Sequence, residues 1–171
     1  CIRDSYTNDD VVAVCTMARQ QQAELFVLGG GSNTLAQDSG FAGIVARNRI
    51  PGFSVIAEDG ESTTITIGAG EILDDVVART VASGLSGIEA LSAIPGTAGA
   101  APVQNVGAYG QEIADALVSL EAYDRQQERF VSLSAADCEF SYRHSIFRGR
   151  EMGRYIITSI TLRLRKGLPQ P

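Results

Sequence analysis

The first chemical signal follows a short apolar run. Glu24-Leu25-Phe26-Val27-Leu28 leads straight into Gly29-Gly30-Gly31-Ser32-Asn33. Consecutive glycines carry no Cβ, so their N–H groups are able to converge on one anion in a concave nest, and a phosphate or pyrophosphate is the natural guest. No Gly-Lys-Ser/Thr follows, so this is not a P-loop, and Gly29-x-Gly31-x-x-Thr34 lacks the third glycine of the dinucleotide fingerprint. An anion nest and a plain glycine-rich turn both stay open on these residues alone. A second near-match, Gly68-x-Gly70-x-x-Leu73, sits between a strand and a helix. It too lacks the third glycine, and no acidic residue ends a second strand about 20 residues on, so it reads as ordinary strand-to-helix packing.

The most informative stretch is Ile94-Pro95-Gly96-Thr97-Ala98-Gly99-Ala100-Ala101-Pro102-Val103-Gln104-Asn105-Val106-Gly107-Ala108-Tyr109-Gly110. Its small side chains let the backbone lie flat against a planar ring system, and Gln104 and Asn105 offer amides for ring nitrogen and oxygen atoms. The competing reading is a tightly packed turn between helices, which leaves the two adjacent amides and the density of small residues unexplained. Downstream, Phe140-Ser141-Tyr142-Arg143-His144-Ser145-Ile146-Phe147 sets an arginine among aromatic residues. Such an arginine either stacks and pairs at the surface or binds an anion. His144 is the only histidine, and no partner group beside it supports a role as general base.

Positioning these groups requires a mixed scaffold. Thr7 or Asn8 caps a helix over residues 9–21, with Asp10 in the capping-box position and Val11, Val14, Cys15 and Ala18 at helical spacing. Residues 24–28 form a buried strand ending at the glycines. Strands over 42–47 and 53–56 flank Ile50-Pro51-Gly52, and residues 62–67 alternate as a half-buried strand. Residues 71–83 put Ile72, Leu73, Val76, Val77, Thr80 and Val81 on one helical face, with Gly84 at its C-terminal end. Residues 90–111 hold no amphipathic period, which in a stretch this long points to ligand-ordered structure. Residues 116–123 and 129–133 make a hairpin, Ser134 caps a short helical turn through Cys138, and residues 155–164 form a last strand. The class is α+β or mixed α/β, with a unit over residues 1–50, a larger one over 51–171 and a boundary near Ile50-Pro51-Gly52.

With 44% apolar residues in 171, the chain is able to bury a sizeable core. Its net charge is −6, and only Arg163, Arg165 and Lys166 cluster, so no nucleic-acid surface is expected. Three cysteines without CxxC spacing, alongside one histidine, argue against zinc or a disulfide framework and fit a reducing, cytoplasmic compartment. No apolar run approaches the roughly 20 residues of a membrane helix, and no secretory signal opens the chain. The first residue is cysteine rather than methionine, so a fragment is expected. No feature of the sequence sets an oligomeric state.

In this order, the Gly-Gly-Gly-Ser-Asn turn, the Ile-Pro-Gly…Gln-Asn-x-Gly-Ala-Tyr-Gly stretch and the Tyr-Arg-x-Ser-x-Phe motif resemble the UDP-N-acetylenolpyruvoylglucosamine reductases over nearly the whole chain. The resemblance implies a two-subdomain FAD-binding fold of the vanillyl-alcohol-oxidase and UDP-N-acetylmuramate dehydrogenase type, with a third domain closing over the UDP-sugar. By it, the chain begins inside domain one and stops at the end of domain two, so the C-terminal substrate domain is absent. Gly29, Gly30, Gly31, Ser32 and Asn33 would hold the FAD pyrophosphate. Ile94, Pro95, Gly96, Gly99, Ala100, Ala101, Gln104, Asn105 and Gly107 would line the isoalloxazine, with Tyr142 beside it. Arg143 would face the carboxylate of UDP-N-acetylglucosamine enolpyruvate, with NADPH as hydride source and UDP-N-acetylmuramate, a peptidoglycan precursor, as product. A planar guanidinium suits that carboxylate, because charge develops there as the enol ether accepts hydride.

The sequence departs from the family in places. Ala100 and Ala101 stand where some members carry flavin-contacting serines, so only backbone contacts are expected there. Ser141 stands where glycine is common, and Arg148 where lysine is common. The family's proton-donating serine and second substrate-polarising carboxylate lie in the third domain, and nothing here matches them. Two alternatives remain, an FAD-linked oxidase of the same fold and a non-catalytic nucleotide-binding module. Such oxidases often tether flavin through His or Cys, and the glycine-rich segments hold neither.

Overall fold

The computed structural model describes residues 1–167; the last four residues of the expected unit over 51–171 lie outside the described residues. Strand β1 (Ile2–Ser5) leads into helix α1 (Asn8–Gln20). Its start is fixed chemically: the Thr7 hydroxyl accepts from the Asp10 N–H at 3.1 Å, and the Asp10 carboxylate accepts from the Thr7 N–H at 2.9 Å. This reciprocal box satisfies two N–H groups that a helix start leaves without partners. After α1 come β2 (Glu24–Leu28) and β3 (Gly43–Asn48), joined by the glycine turn and its following loop. All three strands are parallel in the order β1-β3-β2, and α1 seals one face by packing Val14 and Ala18 on Ile44 and Ala46.

The second sheet is antiparallel. Strands β4 (Phe53–Glu58) and β5 (Ser62–Gly68) precede helix α2 (Leu73–Ala82) and the short β6 (Leu85–Ser86). A 3-10 turn at Ala101–Gln104 leads to a two-residue hairpin, β7 (Gly107–Ala108) with β8 (Gln111–Glu112), and then to one turn of helix, α3 (Ile113–Ala116). Strands β9 (Leu117–Asp124), β10 (Arg129–Ser134) and β11 (Tyr155–Lys166) complete the order β10-β9-β11-β5-β4, with β6 also on β11. Alternation splits the two faces. Ile65, Ile67, Leu120, Ile160, Leu162 and Leu164 are buried, each worth roughly 1.5–3 kcal/mol, whereas Thr66 and Thr161 face out and share a hydroxyl bond of 3.1 Å.

Helix α2 begins later than the expected residue 71. Ile72 is extended and bridges to Thr97, and Leu73 N donates to Gly96 O at 3.1 Å, so the cleft wall takes the place of a first helical turn. The Gly68 and Gly70 turn is a packing device, as expected. A Cβ on Gly70 would lie 2.2 Å from the Arg49 carbonyl carbon, and one on Gly68 2.5 Å from Ile50 O. The two sheets meet through Val11, Tyr123 and Ile156 and through the buried Asn48, whose Nδ2 donates to Ile157 O at 2.7 Å.

Candidate cofactor site

Strand β2 delivers Gly29, Gly30 and Gly31 onto the backbone of residues 95–100. The approach is close: a Cβ on Gly29 would lie 3.0 Å from Thr97 Oγ1, and one on Gly30 3.3 Å from Gly96 Cα. Gly31 has φ +80, a region costly for residues with a Cβ. Two polar bonds fasten the turn. Ser32 Oγ donates to Pro95 O at 3.1 Å, and Asn33 Nδ2 donates to Gln104 Oε1 at 3.1 Å.

A cavity of about 510 Å³ opens between these segments. It is lined by Gly29, Gly30, Gly31, Ser32, Asn33, Ile94, Pro95, Gly96, Ala100, Ala101 and Gln104, so eleven residues singled out in two stretches of sequence converge on one cleft. A neighbouring cavity of about 460 Å³ shares Val27, Gly29, Thr97, Ala100, Val103 and Arg148 with it and is walled by Leu25, Phe147 and Tyr155. Together they make an elongated cleft, glycine-lined at one end and apolar at the other. That is the shape an extended dinucleotide cofactor demands, and each volume is in the range of ligand sites, about 300–1,000 Å³.

Five expected residues stand outside the glycine-lined cavity. Gly99 lines the apolar cavity instead, and a Cβ there would lie 2.4 Å from Ala69 Cβ. Asn105 offers no amide to a ring system. It is fully buried with φ +46, its Nδ2 donates to Glu112 Oε2 at 2.6 Å and Ser141 O at 3.1 Å, and its Oδ1 accepts from Ala114 N at 3.2 Å. Every polar atom of that side chain is already engaged. Gly107 is buried against β8, where a Cβ would lie 2.8 Å from Gln111 O, and its carbonyl accepts from Arg143 Nη2 at 2.6 Å. Tyr142 is 82% exposed, and Arg143 has φ +53 beside it.

Three further residues belong to the cleft. Thr97 and Val103 line both cavities, and Arg148 is the one charged side chain at the glycine-lined end among the described residues. Its position one residue past the Tyr-Arg-x-Ser-x-Phe motif was the available signal. No group of acidic, histidine and cysteine side chains among the described residues would hold a metal ion. Cys15 and Cys138 are not poised as nucleophiles. Burial pushes the Cys138 thiol up to about 12 and raises Cys15 as well. No described helix is long and apolar enough to cross a membrane.

Comparison with known proteins identifies the fold and the family. A family model described as "FAD binding domain" matches residues 6–134. The UDP-N-acetylenolpyruvoylglucosamine reductase of Ralstonia nicotianae is 49% identical over 159 residues, covering 91% of this chain and 46% of that protein. The solved UDP-N-acetylenolpyruvylglucosamine reductase from Thermus caldophilus superposes with a TM-score of 0.78 at 27% identity, over 97% of this chain and 56% of that one. The 6-hydroxy-D-nicotine oxidase of Arthrobacter nicotinovorans shares the fold, with a TM-score of 0.70 at 20% identity over 96% of this chain and 36% of that one. The chain spans less than half the length of the curated reductases it matches. Glycine turn, small-residue wall and two-sheet scaffold thus coincide with a match over residues 6–134, and the chain belongs to the FAD binding domain family.

Proposed function

We propose that this chain is the FAD-binding part of an NADPH-dependent reductase that converts UDP-N-acetylglucosamine enolpyruvate to UDP-N-acetylmuramate for peptidoglycan. The observation that carries the reading is the docking of residues 29–33 on residues 94–104 around one elongated cleft. In it, the N–H groups of Gly29, Gly30 and Gly31 hold the cofactor's diphosphate with Arg148 alongside. The backbone of Ile94, Pro95, Gly96, Ala100 and Ala101 gives the ring system a flat support, and Arg143 faces the substrate carboxylate from the adjoining turn. When bound, FAD supplies a two-electron carrier between NADPH and the enol ether. Turnover is proposed to need the portion of the relatives that the match does not reach. The three free thiols suit a reducing, cytoplasmic setting.

The oxidase reading draws on the shared fold. Against it, no cysteine or histidine lines either cavity for a covalent flavin tether among the described residues. The deciding experiment uses the full natural protein loaded with FAD. NADPH should bleach the visible flavin band, and UDP-N-acetylglucosamine enolpyruvate, but not UDP-N-acetylglucosamine, should restore it under anaerobic conditions. Recovery only with oxygen would favour the oxidase, and absence of any bound chromophore would favour a non-catalytic nucleotide module.

A further inference from the structure

Arg143 is carried on a tight reversal. Ser141 and His144 exchange backbone bonds of 3.1 and 3.0 Å, so Tyr142 and Arg143 form its corner. The φ of +53 at Arg143 is unfavourable for a residue with a Cβ and persists only where the surroundings hold it. Two fully buried side chains do the holding. On one side of the turn Asn105 Nδ2 donates to Ser141 O at 3.1 Å, and on the other Ser145 Oγ donates to Val103 O at 2.6 Å. Both bonds end on the same short stretch, residues 103–105, whose Val103 and Gln104 line the cleft. Ser145 Oγ also accepts from Phe147 N at 3.2 Å, so it acts as a two-way link.

Both bonds end on backbone carbonyls, and a satisfied buried polar pair of this kind specifies one geometry. We infer that Ser145 and Asn105 are positioning residues that fix the Arg143 turn in register with the cleft wall, setting the distance between the guanidinium and the cofactor ring. The inference rests on the proposed reductase function, since it takes Arg143 to meet the substrate's carboxylate. It also gives Asn105 work that contact with a flavin would not explain.

The test is Ser145→Ala in the full natural protein, with Ser145→Cys as the conservative partner. Hydrogen exchange read by mass spectrometry comes first and does not depend on activity. In Ser145→Ala the amides of Ser141 and His144, whose bonds close the turn, should exchange about fivefold or more faster, while β5 and β11 keep their protection. Unchanged exchange at the turn overturns the anchoring. Rapid mixing then separates the half-reactions. FAD content and bleaching by NADPH should stay within about twofold, and recovery of the flavin band with the enolpyruvyl substrate should fall about tenfold. Cysteine, which keeps a weak donor in nearly the same volume, should regain part of that loss. Equal losses in both half-reactions, or no loss in either, overturn the positioning role. If the natural protein itself fails to recover with the enolpyruvyl substrate, the reductase reading fails, and the exchange result still decides whether the anchor exists.

Discussion

Arg143 Nη2 donates to the carbonyl of Gly107 at 2.6 Å, tying the arginine turn to the start of the β7–β8 hairpin. A guanidinium carries five N–H donors in a fixed fork, so this bond leaves donors for a carboxylate. Arg143→Lys replaces the fork by a point charge. Recovery of the flavin band with substrate should lose the equivalent of about 2–3 kcal/mol, near a hundredfold, with bleaching by NADPH close to unchanged. Stopped-flow traces showing matched losses in both phases would make the arginine purely structural.

The glycine turn makes a second prediction. Gly31 has φ +80 with open space about it, its nearest neighbour to an added Cβ being Leu28 Cδ1 at 3.8 Å. Gly31→Asp carries backbone strain of about 1–2 kcal/mol at this φ, which aspartate tolerates better than most residues, and it places a carboxylate where the diphosphate is proposed to lie, where like charges disfavour one another. Purified protein should carry no flavin at 450 nm. Wild-type stoichiometry in a correctly folded variant would move the diphosphate elsewhere.

Gly70 separates packing from binding. An added Cβ would sit 2.2 Å from the backbone of Arg49, and overpacking of that kind costs about 1–3 kcal/mol. Gly70→Ala should lower the urea midpoint yet leave the flavin content of the folded fraction unchanged. Selective loss of flavin from a variant of native stability would turn this turn into a binding element.

Acid sensitivity should centre on Asp124. The Arg154 guanidinium, at 2.6 and 3.1 Å, holds this buried carboxyl below its usual range; burial opposes the shift, and the N–H groups of Gln127 and Gln126 support it. Because the folded value is depressed, the stabilisation is complete above about pH 4 and disappears as pH falls through the lower folded value. Asp124→Asn leaves Arg154 without that partner and should cost about 3 kcal/mol at pH 7. Urea melts at pH 7 and pH 3 should show the gap between variant and wild type closing in acid; a constant gap would remove the ion pair as its origin.

Local rules made much of this legible. Thr7 with Asp10, the alternation of residues 62–67 and the Leu28-to-glycine junction each depend on neighbours a few residues away, and each sits where its pattern indicated. Asn105 does not follow such rules. Its amide looked available beside Gln104, but Glu112, Ala114 and Ser141 claim it, and the Ser141 contact spans 36 residues of sequence. Arg148 reads in the sequence only as an arginine where lysine is common, and tertiary packing brings it to the glycine end of the cleft. Helix α2 shows a third case, since Ile72 has helical spacing but is drawn into a bridge with Thr97.

Strand β11 lies between β9 and β5 and also pairs with β6, and that placement sets an order of events during synthesis. Thr66 must wait for Thr161, 95 residues later, before their strands can join. Until residues 155–166 leave the ribosome, β5 and β9 each keep a bare, hydrogen-bonding edge, that of β5 rich in β-branched side chains, a condition prone to intermolecular pairing. Long-range antiparallel closure is also intrinsically slow. A chain cut short within β11 would therefore aggregate rather than merely weaken, even though every residue lining the glycine end of the cleft had already been made.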